Sequence, residues 1–286
     1  MSRIAYVNGR YVPHGLASVH IEDRGYQFAD GVYEVCEIVD GAMIDQRPHL
    51  DRLARSLNEL RMDWPVEPGA LPLIMREVVR RNGVRDGLVY LQVTRGVARR
   101  DHAFPSSATA PALVVTAKSM DRAKLAARGE RGVAVVTVPN DRWARVDIKS
   151  IGLLSNVLAR QTAIDHGADE AWFIEPDGTV LEGASCNAWI VRDGTLVTRP
   201  ADAGILRGIT RETVMRVAEE LQLAVREEPF TVDEAKAAGE AFNTSASTIV
   251  MPVVSIDGAP VGTGMPGPVA RRLREAFHDV AERTAA

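Results

Sequence analysis

The sequence predicts an α+β protein of two domains, each a mainly antiparallel sheet flanked by helices. Three observations carry this expectation. Turn dipeptides separate short β-prone runs, amphipathic stretches with helical spacing interrupt them, and one polar, charged stretch divides the chain. The expected organisation is an N-terminal domain over residues 1–120, a connection over 121–132 and a C-terminal domain over 133–286.

The turn signals come first. Asn8-Gly9, Asp40-Gly41, Asp177-Gly178, Asp193-Gly194 and Asp257-Gly258 each lie between β-prone segments. Asn, Asp and Gly tolerate the positive φ that tight hairpin turns require. The first pair joins Ile4-Ala5-Tyr6-Val7 to Tyr11-Val12, and the second joins residues 33–39 to Ala42-Met43-Ile44. Hairpins at both ends of the chain argue against a doubly wound parallel sheet. Between residues 49 and 60, Leu50, Leu53, Ala54, Leu57 and Leu60 fall on one helical face. Residues 71–82 repeat the pattern with Leu71, Ile74, Val78 and Val79. Strands are expected at 88–94 and 113–117. Residues 118–132 then turn polar without β alternation, which reads as the interdomain connection. The second half resumes with a β run at 133–138, a helix over 151–165 and strands at 170–174 and 179–197. A helix over 211–223 follows, and Arg271, Arg272, Arg274, Glu275 and Asp279 mark the solvated face of a C-terminal helix.

Composition narrows the class. With 46% hydrophobic and 25% charged residues, 286 residues can bury the cores of two ordinary domains. A net charge of −4 gives no electrostatic footprint for nucleic acid or an acidic membrane. Cys36 and Cys186 lack metal-ligand spacing and read as reduced structural thiols, so no metal is expected. Residues 1–6 lack the apolar core of a signal peptide, and no run approaches the ~20 apolar residues that span a bilayer. The expected compartment is the cytoplasm.

The chemistry gathers around Lys149, in the run Asp147-Ile148-Lys149-Ser150-Ile151-Gly152. Lysines are usually solvated, but one enclosed by apolar neighbours becomes an amine nucleophile. Downstream, Glu182 closes a strand-like run and is followed by Gly183-Ala184-Ser185-Cys186-Asn187. An amine nucleophile plus a fixed carboxylate is what pyridoxal phosphate requires: one forms the Schiff base, the other keeps the pyridine nitrogen protonated. A phosphate needs a cation and backbone donors. Gly208-Ile209-Thr210 precedes a helix expected to start near Arg211, with Thr210 as its N-cap. The turn 244–248, containing Ser245 and Ala246, is rich in hydroxyls, and Arg52 lies one turn beyond His49. Taken singly, each is as readily an ordinary cap, loop or surface ion pair. Residues 95–105, with Arg95, Arg99, Arg100 and His102, form a donor-rich loop suited to a carboxylate or to plain solvation.

Taken in order, these segments resemble the fold-type IV pyridoxal-phosphate enzymes, and among them the bacterial D-amino acid transaminases. The resemblance runs through residues 22–35, His49-Leu50-Asp51-Arg52-Leu53, Gln92-Val93-Thr94-Arg95-Gly96 and Arg100-Asp101-His102. It continues through Asp147-Ile148-Lys149-Ser150, Glu182-Gly183 with Asn187, and Gly208-Ile209-Thr210-Arg211. It implies that Lys149 forms the link to pyridoxal 5'-phosphate and shuttles the proton, that Glu182 pairs with the pyridine nitrogen, and that Leu206 packs on the ring. It implies that Arg52, Ile209 and Thr210 hold the phosphate, with Ser245 and Ala246 in the late phosphate turn. Ala246 departs from the threonine often found there, which removes one side-chain hydrogen bond. Tyr33, Arg100 and His102 would hold the substrate carboxylate, the last two from a neighbouring subunit, so a homodimer is implied.

The activity implied is transfer of the amino group of a D-amino acid, such as D-alanine, to a 2-oxo acid, such as 2-oxoglutarate, by a ping-pong cycle. The alternatives are a branched-chain L-amino acid aminotransferase, an (R)-amine transaminase and an aminodeoxychorismate lyase on the same fold. A cofactor-binding protein without turnover is disfavoured by the joint presence of Lys149 and Glu182.

Overall fold

The structure, a computed structural model, describes residues 3–106, 108–201 and 204–285. The outermost limits of the expected domains, residues 1 and 286, lie outside these. The chain forms two compact units. The first takes the chain as far as Asp121, then Ile148–Gly152 and the segment from Glu282 onward. The second takes Arg122–Asp147 and Leu153–Ala281. In the expected scheme Lys149 lay on the C-terminal domain; here its segment belongs to the first unit. The reason is backbone pairing that chain order does not reveal. Val32 and Ser150 form an antiparallel bridge. The Tyr33 amide donates to the Lys149 carbonyl (3.0 Å) and the Ile151 amide to the Gly31 carbonyl (3.1 Å), while Ile148 is buried in the first core.

In the first unit, strands β1 (Ile4–Val7) and β2 (Arg10–Pro13) lead into a short helix α1 (Arg24–Phe28). Next come β3 (Gly31–Val39), β4 (Ala42–Ile44), α2 (Gln46–Glu59) and α3 (Leu71–Asn82). Strands β5 (Gly87–Thr94) and β6 (Ala112–Ser119) complete the stretch. All pairings are antiparallel, and a final strand from the chain's last residues, Arg283–Ala285, adds to β4. Asn8 and Gly9, and likewise Asp40 and Gly41, both have positive φ, as the hairpin reading required. The core packs Val32, Ile38, Val89, Leu91 and Val93 of the sheet against Leu53, Leu57, Leu71 and Met75 of the helices. Helix α2 starts at Gln46 rather than His49. Its buried face carries His49, Arg52 and Ser56 as well as Leu53 and Leu57, so a polar stripe runs inward alongside the apolar one.

The second unit opens with a helix, α4 (Arg122–Arg131), where a connection over 121–132 was expected. The hydrophobic pattern is faint because this helix fully buries only Gly129 and rests the partly buried Leu125 on the core. Then follow β7 (Val133–Pro139), α5 (Leu154–Asp165), β8 (Glu170–Ile174), β9 (Val180–Gly183), β10 (Asn187–Arg192) and β11 (Thr195–Thr198). Residues 179–197, read as β throughout, are thus split by turns. Helix α6 (Ile209–Glu220), β12 (Val225–Glu227), α7 (Val232–Ala237), β13 (Glu240–Ser245) and β14 (Ile249–Ile256) come next. Last are β15 (Ala259–Pro260) and α8 (Pro268–Val280). The sheet is mixed: β7 pairs in parallel with both β8 and β14, and β11 with β12, while the other ladders are antiparallel. The α+β class holds in both units. Trp172 and Trp189 are fully buried, and their indole N–H groups donate to Asn243 Oδ1 (2.8 Å) and Thr244 Oγ1 (3.0 Å), which satisfies their polar edges. Among the described residues no helix is long and apolar enough to cross a membrane.

Candidate active site

Strand β3 orients the first unit's candidate residues by alternation, because successive side chains leave opposite faces. Glu34 points to α2 and is buried, while Tyr33 turns the other way and packs against Tyr90 of β5, ring centroids 5.6 Å apart. Glu34 grips Arg52 in two-pronged fashion, accepting from Nε at 2.7 Å and Nη2 at 2.8 Å, and His49 Nδ1 lies 2.7 Å from its Oε2. Burial alone would raise the Glu34 carboxyl, but the Arg52 charge and the hydrogen bonds from Arg52 and His49 win and hold it at about 2. Burial also keeps His49 below its usual range despite the carboxylate beside it. Arg52 is therefore a rigid cation with a defined fork direction.

Lys149 is half-buried, not fully enclosed. Its backbone is fixed by the pairing to β3, and its amide donates to Ser56 Oγ of α2 at 3.4 Å. Its Nζ sits 4.2 Å from the centre of the Tyr33 ring. The amine is thus placed by an aromatic face while remaining reachable. Arg100 and His102 are not with this group. They are exposed on the loop after β5 and gather on Phe28, the Arg100 guanidinium 4.7 Å from its centre and the His102 ring 5.4 Å away.

The second unit holds the other predicted residues. Glu182, at the end of β9, is only 6% exposed. Its carboxylate accepts from the Leu206 amide (3.1 Å to each oxygen), from Asn187 Nδ2 (3.1 Å) and from Arg142 Nη1 (2.5 Å). Asn187 Nδ2 also donates to the Leu206 carbonyl at 2.9 Å, tying the carboxylate to the 206 segment. That tie needs Gly208, since a Cβ there would collide with Asn187 Oδ1.

Helix α6 begins earlier than expected. Gly208, not Thr210, is the N-cap and contributes no side-chain bond. The first intrahelical bond runs from the Glu212 amide to the Gly208 carbonyl (3.1 Å), so the amides of residues 209–211 have no intrahelical acceptor. Amides without a helix acceptor can donate to an anion, and the Thr210 hydroxyl does not cap the helix. Ser245 and Ala246 lie at the β13–β14 turn, where Ser245 Oγ meets Ser247 Oγ (3.2 Å) and Thr248 Oγ1 (2.8 Å). Ile249 follows at φ 59, a strained setting for a β-branched residue. Arg274 Nη1 braces it from both sides by donating to the Thr248 and Val250 carbonyls at 2.7 Å each.

Sequence reasoning missed the supports. Glu34 could have been flagged as a charge at an inward strand position beside Tyr33. Arg142 sits in the polar run Asp141-Arg142-Trp143-Ala144-Arg145 and carries no local signal. Its Nη2 is buried and, among the described residues, has no hydrogen-bond partner. A buried donor of that kind fits a site that takes an additional polar group.

The amino-transferase class IV family model matches residues 31–256. A D-alanine aminotransferase of Staphylococcus haemolyticus is 41% identical over 97% of this chain and 97% of its own. One of Bacillus licheniformis is 40% identical over 95% of each. Among solved structures, a T.th. branched-chain amino acid aminotransferase with pyridoxamine 5'-phosphate superposes with a TM-score of 0.89 at 29% identity, covering 98% of this chain and 94% of that one. The branched-chain amino acid aminotransferase from Escherichia coli gives 0.87 at 26% identity, covering 98% and 94%. A family match over most of the chain, joined to near full-length identity of this order, means that the chain belongs to the class IV aminotransferases.

Proposed function

We propose that the protein is a pyridoxal 5'-phosphate-dependent transaminase that moves the amino group of a D-amino acid, such as D-alanine, to a 2-oxo acid, such as 2-oxoglutarate. The observation that carries the chemistry is the buried Glu182 carboxylate, fixed by Leu206, Asn187 and Arg142. An anion anchored in that way fits a protonated ring nitrogen. The amides at the start of α6, the hydroxyl-rich turn at 245–248 and the orphaned Arg142 donor fit a phosphorylated, polar-edged ring. The D-preference is supported by the staphylococcal and bacillar relatives at 40–41% identity.

When bound, the cofactor supplies an aldehyde that links to amines and a cationic ring that takes up the electron pair released at the substrate α-carbon. Arg52 would bind the phosphate and Lys149 would link to the aldehyde. Lys149 Nζ, which lies 4.2 Å from the centre of the Tyr33 ring, would be the base that carries the substrate α-proton. Glu182 would keep the ring nitrogen protonated and Leu206 would cover the ring. The Ile209 and Thr210 amides, with Ser245 and Ala246, would complete the phosphate hold. Tyr33, Arg100 and His102 would bind the α-carboxylate. Their side of the reacting carbon would decide which enantiomer presents its hydrogen to Lys149.

A homodimer is part of this reading. It is supported by the exposed stripe Leu154, Val157, Leu158 and Ile164 on α5, an apolar face larger than single scattered residues need explain. We place the enzyme in the cytoplasm. The test is a substrate panel of D-alanine, L-leucine and (R)-phenylethylamine, each with 2-oxoglutarate. D-alanine should lead. Turnover of L-leucine with none of D-alanine would replace this reading by the branched-chain one, which the TM-score of 0.89 keeps as the second choice.

A further inference from the structure

We infer that Arg24 and Phe28 of α1 are positioning residues that hold the loop bearing Arg100 and His102 in its carboxylate-binding shape. The inference rests on the reading of Arg100 and His102 as substrate ligands. Arg24 is only 3% exposed, rare for an arginine, and its guanidinium faces two ways. Its Nε donates to Asp30 Oδ2 at 2.8 Å. Its Nη1 donates to the carbonyls of Asp101 (2.6 Å) and Ala103 (3.3 Å), the residues on either side of His102. The anchor at Asp30 is itself immobile, gripped by Arg95 at 2.8 and 3.0 Å. Burial would raise the Asp30 carboxyl, but the hydrogen bonds from Arg95 and Arg24 outweigh it, so the anchor stays charged through the neutral range.

Phe28, one turn after Arg24, supplies the other half. One guanidinium lies 4.9 Å from its ring centre (Arg24) and another 4.7 Å away (Arg100), with the His102 ring tilted against it. Residues 99–104 form no strand or helix, and both proposed ligands are exposed. Backbone carbonyls hooked by a buried arginine, and side chains resting on one ring, fix the part of this segment around His102, while Phe104 rests on the Arg61 and Arg95 guanidiniums. Planar guanidinium donors suit both tasks, and a lysine suits neither as well.

Arg24→Lys keeps a positive charge at Asp30 but loses the fork to the two carbonyls. Phe28→Leu keeps apolar bulk but loses the ring, and Phe28→Tyr restores it. In the full-length holoenzyme, Arg24→Lys and Phe28→Leu should each raise KM for D-alanine by about tenfold. Saturated kcat, the cofactor absorbance and Tm should stay near wild type, and Phe28→Tyr should behave as wild type. Amide hydrogen exchange over residues 99–104 should speed up in the first two variants and not in the third. Arg100→Ala is the reference. An unchanged KM in that variant would sink the ligand reading itself. If Arg100→Ala raises KM while Arg24→Lys and Phe28→Leu leave KM and exchange unaltered, the positioning role is overturned. A matched fall of kcat and Tm with no KM change would overturn it too, by showing that α1 only stabilises the fold.

Discussion

The two regions proposed to hold the cofactor phosphate are built on opposite principles. In the first unit, the cation is a side chain, Arg52, and its direction depends on two further side chains, Glu34 and His49. In the second, the donors are backbone amides at the start of α6, and their direction is fixed by the helix itself. A side-chain anchor supplies a full charge but stands or falls with its partners. A backbone anchor supplies less charge and tolerates almost any residue. Substitutions should therefore be severe in the first region and mild in the second.

The largest effect should lie at Lys149, the proposed reacting amine, which neither anchor can replace. Lys149→Ala should lower turnover by at least about 10³-fold and remove the lysine-linked absorbance, read by single-turnover kinetics and spectra. Next, Glu34→Gln leaves Arg52 charged and buried with half its grip. Breaking one side of such a pair costs about 3–5 kcal/mol, to be checked by urea unfolding; a loss under about 1 kcal/mol would remove the contrast between the regions.

Acid should do reversibly what that substitution does permanently. Glu34 titrates at about 2 in the fold against 4.5 ordinarily, so as pH falls the unfolded chain takes up its proton first. Its contribution is complete above about pH 4.5 and disappears toward pH 2, on the order of 3 kcal/mol by linkage. His49 acts in the same direction from higher up. Burial holds it below its usual 6.5, so protonation of the unfolded chain begins to cost stability as pH falls past that value. Denaturant titrations from about pH 7 to about pH 3 should show a continuous decline without a rise.

In the second unit, Gly208→Ala should be the most damaging change, because its Cβ would collide with Asn187 Oδ1, coming far closer to it than the 3.3 Å to Arg211 Cβ of the helix. Displacing Asn187 loosens Glu182, and overpacking of this kind costs roughly 1–3 kcal/mol, seen as weaker cofactor retention on dialysis. Thr210→Val should be the smallest, at most about 1 kcal/mol in cofactor affinity, since the amide persists and the hydroxyl does not cap the helix.

The same division explains what could be read from the chain alone. Hairpins at Asp40-Gly41, Asp193-Gly194 and Asp257-Gly258 were legible because positive φ is written into residue type, and both members of each pair adopt it. Helix α3 was legible because its apolar stripe is strong, with Leu71, Met75, Val78 and Val79 buried. Helix α4 was not, because it buries almost nothing. The proposed site residues Lys149 and Glu182 stood out through their apolar and small-residue surroundings. Their supports did not: Arg142 reaches Glu182 across 40 positions, and Arg24 reaches Asp101 across 77. Separation of that order leaves no periodicity to read.

The path of the chain has one more consequence. The segment with Lys149 and the strand Arg283–Ala285 belong to the first unit, yet most of the second unit is translated between them. A ribosome releasing residues 1–121 has delivered a sheet that lacks both the Lys149 segment and the second partner of β4. Neither unit can be cut out as one continuous stretch of gene. Any attempt to express the halves separately would have to splice three pieces of sequence into the first of them.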